Sequence, residues 1–301
     1  VCSEILNDAL LSNYREAVFR VRTTHNLSTK ARYGNFHCRN TDLLAVPCMN
    51  PNAAFVVEYT IIPSDDVDFT FIQTVFLYTT QSKERILRIG TYALPHKNVP
   101  LLNTHALAIS CSNISAVIAL REGKDAAKKY LTDTIKSIPQ TAPGYQEALY
   151  YLFCLSKASF FEEEGYMCAG LIRTRIGCSD FPVPVVYTID ADGSCQPATL
   201  SHNAVKGKIT VLCIGTETII GVDQSIERRI LKACFNVSTM TEIAPNSRIN
   251  EEDNPIANAV RSILTQLSSS HVVVDCSDEW KKYLVEDSPT GMDYTAFVHS
   301  L

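Results

Sequence analysis

Residues Asp68 to Pro95, DFTFIQTVFLYTTQSKERILRIGTYALP, constrain the fold of this chain more than any other stretch. Two runs rich in Phe, Ile, Val, Thr and Tyr flank the polar segment Gln81-Ser82-Lys83-Glu84, which is the pattern of a β-hairpin. The turn has neither Asn-Gly nor Asp-Gly, the pairs that make such a signal strong. Alternation places Phe69, Phe71, Val75 and Leu77 on one face of the first strand and Ile72, Phe76 and Tyr78 on the other. A strand apolar on both faces is expected to be covered on both, inside a sandwich or beneath a second domain. The second run carries two arginines, Arg85 and Arg88, in an otherwise apolar strand, and these charges need a reason.

A chain of 301 residues has room for two or three domains and a substantial core. Its net charge of −5 argues against nucleic acid as the main partner, which calls for a basic surface. No apolar run approaches the roughly 20 residues that span a bilayer, and no signal peptide is visible. The chain starts at Val1, as a portion of a longer protein would. Its 11 cysteines are odd in number, scattered singly among apolar neighbours, and form no C-x-x-C. They read as reduced, largely buried small hydrophobes of a cytosolic protein rather than a disulfide framework or zinc site. The sequons at Asn26, Asn113 and Asn236 keep a secreted alternative open.

Around the hairpin the chain reads as strands without helices between them. Tyr14 to Thr24 alternates, with Ala17, Phe19 and Val21 on one face and Arg20 and Arg22 on the other. Tyr33 to Arg39 and Ala53 to Ile62 continue the run, with turn chemistry at Gly34, Pro47, Asn50-Pro51 and Pro63 to Asp66. Five or six strands in about 90 residues make an antiparallel sandwich the natural architecture. From Thr104 the apolar period becomes helical. Lys124 to Ile138 buries one stripe and stops at Pro139, and Pro143-Gly144 opens a helix with Ala148, Leu149, Leu152, Phe153 and Leu155 on its face. The acidic run Glu162 to Glu164 reads as a solvated loop. Beyond Phe181, strands at Val183 to Ile189, Lys208 to Val222 and His271 to Cys276 interleave with helices at Ile226 to Cys234 and Pro255 to Leu267. Asn254 caps the latter helix; Ser277 caps a turn through Trp280, and Asp293 caps a last helix. The expected architecture is a multidomain α+β chain. Residues 1–13 end an upstream domain, 14–100 form the β-sandwich, 101–178 an all-helical domain and 179–301 a small α/β domain.

No catalytic constellation assembles. The chain has no G-x-S-x-G, G-x-x-x-x-G-K-[ST], H-E-x-x-H or G-x-G-x-x-G, and its seven histidines are isolated from one another. His37, beside Cys38, reads as a structural residue, and the acidic clusters fall in loops. The chain is therefore expected not to be an enzyme, and no cofactor is implied by its residues.

Three segments resemble the cargo-adaptor subunit of the COPII inner coat, the Sec twenty-four family. Glu16-Ala-Val-Phe-Arg-Val-Arg22, with Tyr33-Gly-Asn-Phe36 and Asn40-Thr-Asp-Leu-Leu44, is similar to the start of its β-sandwich. Phe71-Ile-Gln-Thr-Val-Phe-Leu-Tyr-Thr79, with Glu84-Arg85, Arg88-Ile89 and Leu94-Pro95, resembles its hairpin, FQ-x-A-L-L-Y-T-S…GERRIRVHTL-x-x-P. Leu284-Val-Glu-Asp287 and Tyr294-Thr-Ala-Phe297 resemble the close of its gelsolin-like domain. Gly215 to Asp223 falls where that domain's I-x-I-W-V-G strand is expected, without the tryptophan.

The resemblance implies binding rather than catalysis. It implies a gelsolin-like C-terminal α/β domain and residues 1–13 as the end of a trunk domain, with the family's zinc finger lying upstream. Implied partners are the sister coat subunit, cytosolic tails of cargo membrane proteins and SNAREs, the ER membrane peripherally, and a Sar-type GTPase indirectly. The implied location is cytoplasmic, on the ER membrane and COPII vesicles. In the family, arginines on the GERRIRV strand help form a pocket for acidic signals, since a guanidinium offers a carboxylate a bidentate fork. Here Arg88 is retained, its i+2 neighbour is Ile86, and Arg85 points to the other face. Arg88 is the expected acidic-signal contact and Arg85 a weaker one. The sister subunit that activates the GTPase shares this architecture and remains an alternative, as do an unrelated enzyme and an actin-binding gelsolin relative.

Overall fold

The computed structural model describes residues 14–40, 42–49, 53–62, 68–95, 102–158, 161, 182–214, 217–267, 271–287 and 292–301. The expected end of a trunk domain in 1–13, the run Glu162 to Glu164 and the expected boundary at 178 lie outside the described residues. Mixed helices and largely antiparallel sheets fall into two compact units, the first reaching Ala148 and the second starting at Leu149.

The first unit begins with seven strands: β1 (Tyr14–Thr23), β2 (Leu27–Tyr33), β3 (His37–Cys38), β4 (Leu43–Met49), β5 (Val56–Ile61), β6 (Phe69–Thr79) and β7 (Arg85–Pro95). Five form a sheet in the order β3-β4-β1-β6-β7, and β2 pairs with β5 in a second, two-stranded sheet. A sandwich core joins buried Ala17, Val46 and Tyr78 to half-buried Phe36, Phe55, Phe76 and Ile86. Phe19 stacks on Phe55 at 5.1 Å and meets Phe76 edge-on at 6.0 Å, ring pairs that add to the burial term.

Sequence alternation missed two strands here. Thr29 and Ala31 flank a register shift in β2, which breaks the period-two signal. Pro47, expected in a turn, lies within β4. It is tolerated because β3 reaches only Ala45 and Leu44, so no neighbour needs the missing N–H. The expected strand Tyr33 to Arg39 reduces to His37–Cys38.

The β6–β7 turn solves its missing glycine with a residue of the wrong type. Lys83 N–H donates to Thr80 O at 3.0 Å, Thr80 N–H donates to Glu84 O at 2.9 Å, and Lys83 itself sits at φ 66°. That is a type I turn followed by a left-handed residue, the three-residue hairpin loop. A side chain there is strained, so Lys83→Gly is expected to raise stability by about 0.5 to 1 kcal/mol in a denaturant titration.

Beyond the sandwich, α1 (Thr104–Glu122), α2 (Lys124–Ser137) and α3 (Tyr145–Ser156) follow. The Asn103 side chain caps α1 by accepting from Ala106 N–H at 2.9 Å. Helix α1 lies against α2 and against β2 and β5, and buries Ala108, Cys111, Ile114 and Ala116. Its buried polar side chains bond back to the helix: Asn113 Nδ2 donates to Ile109 O and Ser115 Oγ to Ser112 O.

The second unit is a three-layer α/β body. Its strands are β8 (Val185–Ile189), β9 (Cys195–Ala198), β10 (Ile209–Ile214), β11 (Glu217–Val222) and β12 (His271–Asp275), in the order β12-β11-β10-β8-β9. Only β12 runs parallel to its neighbour. The helices are α4 (His202–Val205), α5 (Arg228–Phe235), α6 (Pro255–Leu267) and α7 (Tyr294–Ser300), with 3-10 turns at Met240–Glu242 and Asp278–Tyr283. Alternation divides the sheet. Ile209, Val211, Ile220 and Val222 meet Ile230, Leu231, Ile256, Val260 and Ile263 of α5 and α6. Leu212 and Ile219 on the other face meet Phe153, Trp280 and Leu284.

Two carboxylates pin this unit. Asp223 is buried, accepts Gly207 N–H at 3.1 Å and Ser225 N–H at 2.9 Å, takes the Ser225 hydroxyl, and pairs with Lys281 Nζ at 2.8 Å. Asp287 accepts the Ser201 hydroxyl at 2.7 Å and His202 N–H at 2.8 Å, capping α4. Burial opposes ionisation of both. For Asp223 the Lys281 ammonium, the Ser225 hydroxyl and the two N–H groups outweigh it; for Asp287 the His202 N–H, the Ser201 hydroxyl and the Asn203 N–H do. Both carboxyls are held below their ordinary value of 3.8, so the unfolded chain takes up these protons first as the pH falls. Their contribution is complete above that value and drains away below it. Stability followed by the fluorescence of Trp280, the single tryptophan, should therefore be flat from neutral pH to about 5 and fall steeply below about 4.

Candidate functional site on the second hairpin strand

Strand β7 is 11 residues long and lies at the edge of the five-stranded sheet. Its register against β6 assigns each side chain to a face. Ile86, Arg88, Tyr92 and Leu94 stand opposite Tyr78, Phe76, Ile72 and Thr70, on the side of the sandwich core. Arg85, Leu87, Ile89 and Ala93 stand opposite Thr79, Leu77, Val75 and Phe71, on the outer side. The two arginines thus project to opposite faces, as their odd separation requires.

Arg85 has local employment. Its guanidinium donates to the Thr79 hydroxyl at 2.8 Å, to Glu16 O at 3.1 Å and to the Glu16 carboxylate at 3.3 Å. Glu16 can offer both oxygens because β1 carries an irregularity there: φ is 51°, and the pairing register with β6 shifts between Arg15 and Val18. The ion pair is exposed, so it fixes the hairpin end more than it stabilises the fold. Nothing in the sequence pattern marked the bulge.

Arg88 is different. It is exposed, lies 5.9 Å over the Tyr78 ring, and has no carboxylate partner among the described residues. The ring sets the side chain against the sandwich while the guanidinium hydrogen-bonding edge stays available. Ile86, two residues earlier, belongs to the sandwich core and so cannot supply a second charge. The geometry is that of one presented cation on an open edge, which can contact one carboxylate but not clamp it between two arginines.

The outer face of the hairpin departs from the expectation that both faces are covered. Phe69 and Phe71 are each 46% exposed, Leu87 55% and Ile89 60%. On the other face Phe76, Tyr78 and Ile86 join the sandwich core, while among the described residues no layer covers these four.

The cysteines also divide. Among the described residues Cys38, Cys48 and Cys195 are exposed, which the expectation of largely buried thiols did not include, while Cys111, Cys154 and Cys234 are buried. Burial pushes each of the buried thiols up to about 12, so none is a ready nucleophile. Two sequons are structural. Asn26 Nδ2 donates to Thr70 at 2.5 Å and Asn113 Nδ2 to a helix carbonyl, each residue being only 1% exposed. A glycan on either would destroy its packing. Among the described residues no helix is long and apolar enough to cross a membrane.

The C-terminal motif residues are architectural. Leu284 is buried, Glu286 N–H donates to Leu200 O at 2.9 Å, and the Glu286 carboxylate accepts the Tyr150 hydroxyl at 3.3 Å. Asp287 caps α4, and Tyr294 and Phe297 pack on Phe153 at 5.3 and 5.0 Å between ring centroids. They hold α7 and residues 149–156 of α3 together within the second unit.

This sequence and fold have counterparts in known proteins. Residues 14–97 match the Sec23/Sec24 beta-sandwich domain, which defines the class of the first unit. Human protein transport protein Sec24B is 32% identical, in an alignment covering 90% of this chain and 26% of that protein. Bovine Sec24A is 32% identical over 144 residues, 44% of this chain and 13% of that protein, and SEC24 of Podospora anserina is 36% identical over 132 residues, 42% and 14% respectively. The crystal structure of the human COPII-coat protein Sec24c superposes with a TM-score of 0.78 at 18% identity, covering 99% of this chain and 45% of that one. The chain belongs to the Sec24 family. It spans about a quarter or less of the length of these curated relatives.

Proposed function

We propose that this chain works within a COPII coat component that selects and binds cargo for ER-to-Golgi vesicle transport. The observation that carries the reading is homology to Sec24B across 90% of the chain. The activity is binding, not catalysis, and the α/β unit corresponds to a gelsolin-like domain. Its partners are the sister coat subunit, the cytosolic tails of cargo proteins and SNAREs, and the Sar-type GTPase indirectly, with a peripheral position on the cytoplasmic side of the ER membrane.

Arg88 is the contact for an acidic residue of a cargo tail, since it is a presented guanidinium with no carboxylate of its own among the described residues. With Ile86 beside it, the contact is a single ion pair and its strength is modest. Titrating the protein with fluorescent acidic tail peptides should give saturable, salt-weakened binding. Arg88→Ala should weaken it about fivefold and Arg88→Lys less, as expected for loss of about 1 kcal/mol. Unchanged affinity in Arg88→Ala would remove Arg88 from the site without touching the adaptor reading. The adaptor reading itself fails if the full-length protein, with its coat partners on ER-like vesicles, captures no cargo.

A further inference from the structure

We draw no further inference here: the strongest candidate, the apolar outer face of the β6–β7 hairpin with its open β7 edge, carries nothing because nothing in the structure shows what covers it.

Discussion

Asp223→Ala is expected to cost the α/β unit about 3 to 5 kcal/mol, the loss that follows when one partner of a buried ion pair is removed. The substitution deletes more than a charge. Lys281, whose side chain is 19% exposed, loses its 2.8 Å partner, and the Gly207 and Ser225 N–H groups and the Ser225 hydroxyl lose their acceptor. Each abandoned buried donor costs about 1 to 3 kcal/mol in principle, and partial access of water reduces that sum. The position of Asp223 explains the leverage. It lies just beyond β11, and Lys281 is in the 3-10 turn Asp278–Tyr283, so the pair ties that turn to the sheet end. Denaturant unfolding followed by Trp280 fluorescence reads this unit directly. A double variant, Asp223→Ala with Lys281→Met, should recover part of the loss, because the ammonium that lost this carboxylate is gone. A loss below about 1 kcal/mol in the single variant would mean that the pair is only a surface contact.

Asp223 was invisible to pattern reading, and the reason is instructive. Its three partners, Gly207, Ser225 and Lys281, come from the loop before β10, from the turn after β11 and from the 3-10 turn, which meet only in the fold. Elements set by local chemistry were legible. The Asn254 side-chain oxygen accepts Ala257 N–H at 2.9 Å, the Ser277 hydroxyl accepts Glu279 N–H at 3.2 Å, and the Asp293 carboxylate accepts Ala296 N–H at 2.7 Å. Each cap stands where residue type and apolar period placed it. Strand β2 was not legible, because its irregularity between Thr29 and Ala31 reverses the alternation that defines a strand, and Pro47 made β4 read as a turn. At the candidate site, alternation correctly separated Arg85 from Arg88. The commitment of Arg85 to Glu16 was hidden, since it depends on a left-handed residue of a type that rarely adopts that conformation. The outer hairpin face shows the limit of pattern most clearly: apolarity says that a face is compatible with burial, not which layer buries it.

Gly221 makes the complementary case, in which absence of a side chain carries the packing. The segment Gly215 to Asp223, which contains β11 (Glu217–Val222), lacks the tryptophan that the family resemblance leads one to expect, yet a tryptophan lies against that strand. Trp280, 1% exposed, packs with its six-membered ring over Gly221. A Cβ built on Gly221 would fall 2.6 Å from Trp280 Cδ2 and Cε2 and 2.8 Å from Cε3, well inside contact distance. Neither side can yield. Strand β11 is paired on both edges, with Thr210 of β10 and Asp275 of β12 opposite Gly221, and the Trp280 backbone is held by the Ser277 cap and the Lys281–Asp223 pair. Gly221→Ala should therefore cost about 3 kcal/mol and Gly221→Val more, at or above the usual range for overpacking a core. The ring, not the backbone angle, is the cause: Gly221 is absent from the positive-φ glycines, so an alanine meets no conformational penalty there. Two measurements separate these origins. In the Trp280→Leu background, Gly221→Ala should cost less than half of what it costs in the parent, with far-UV circular dichroism following unfolding in place of the lost fluorophore. In the parent background it should also shift the emission of Trp280 to the red, because a displaced ring lets water reach the indole. Additive losses with unchanged emission would place the strain in the strand rather than at the ring.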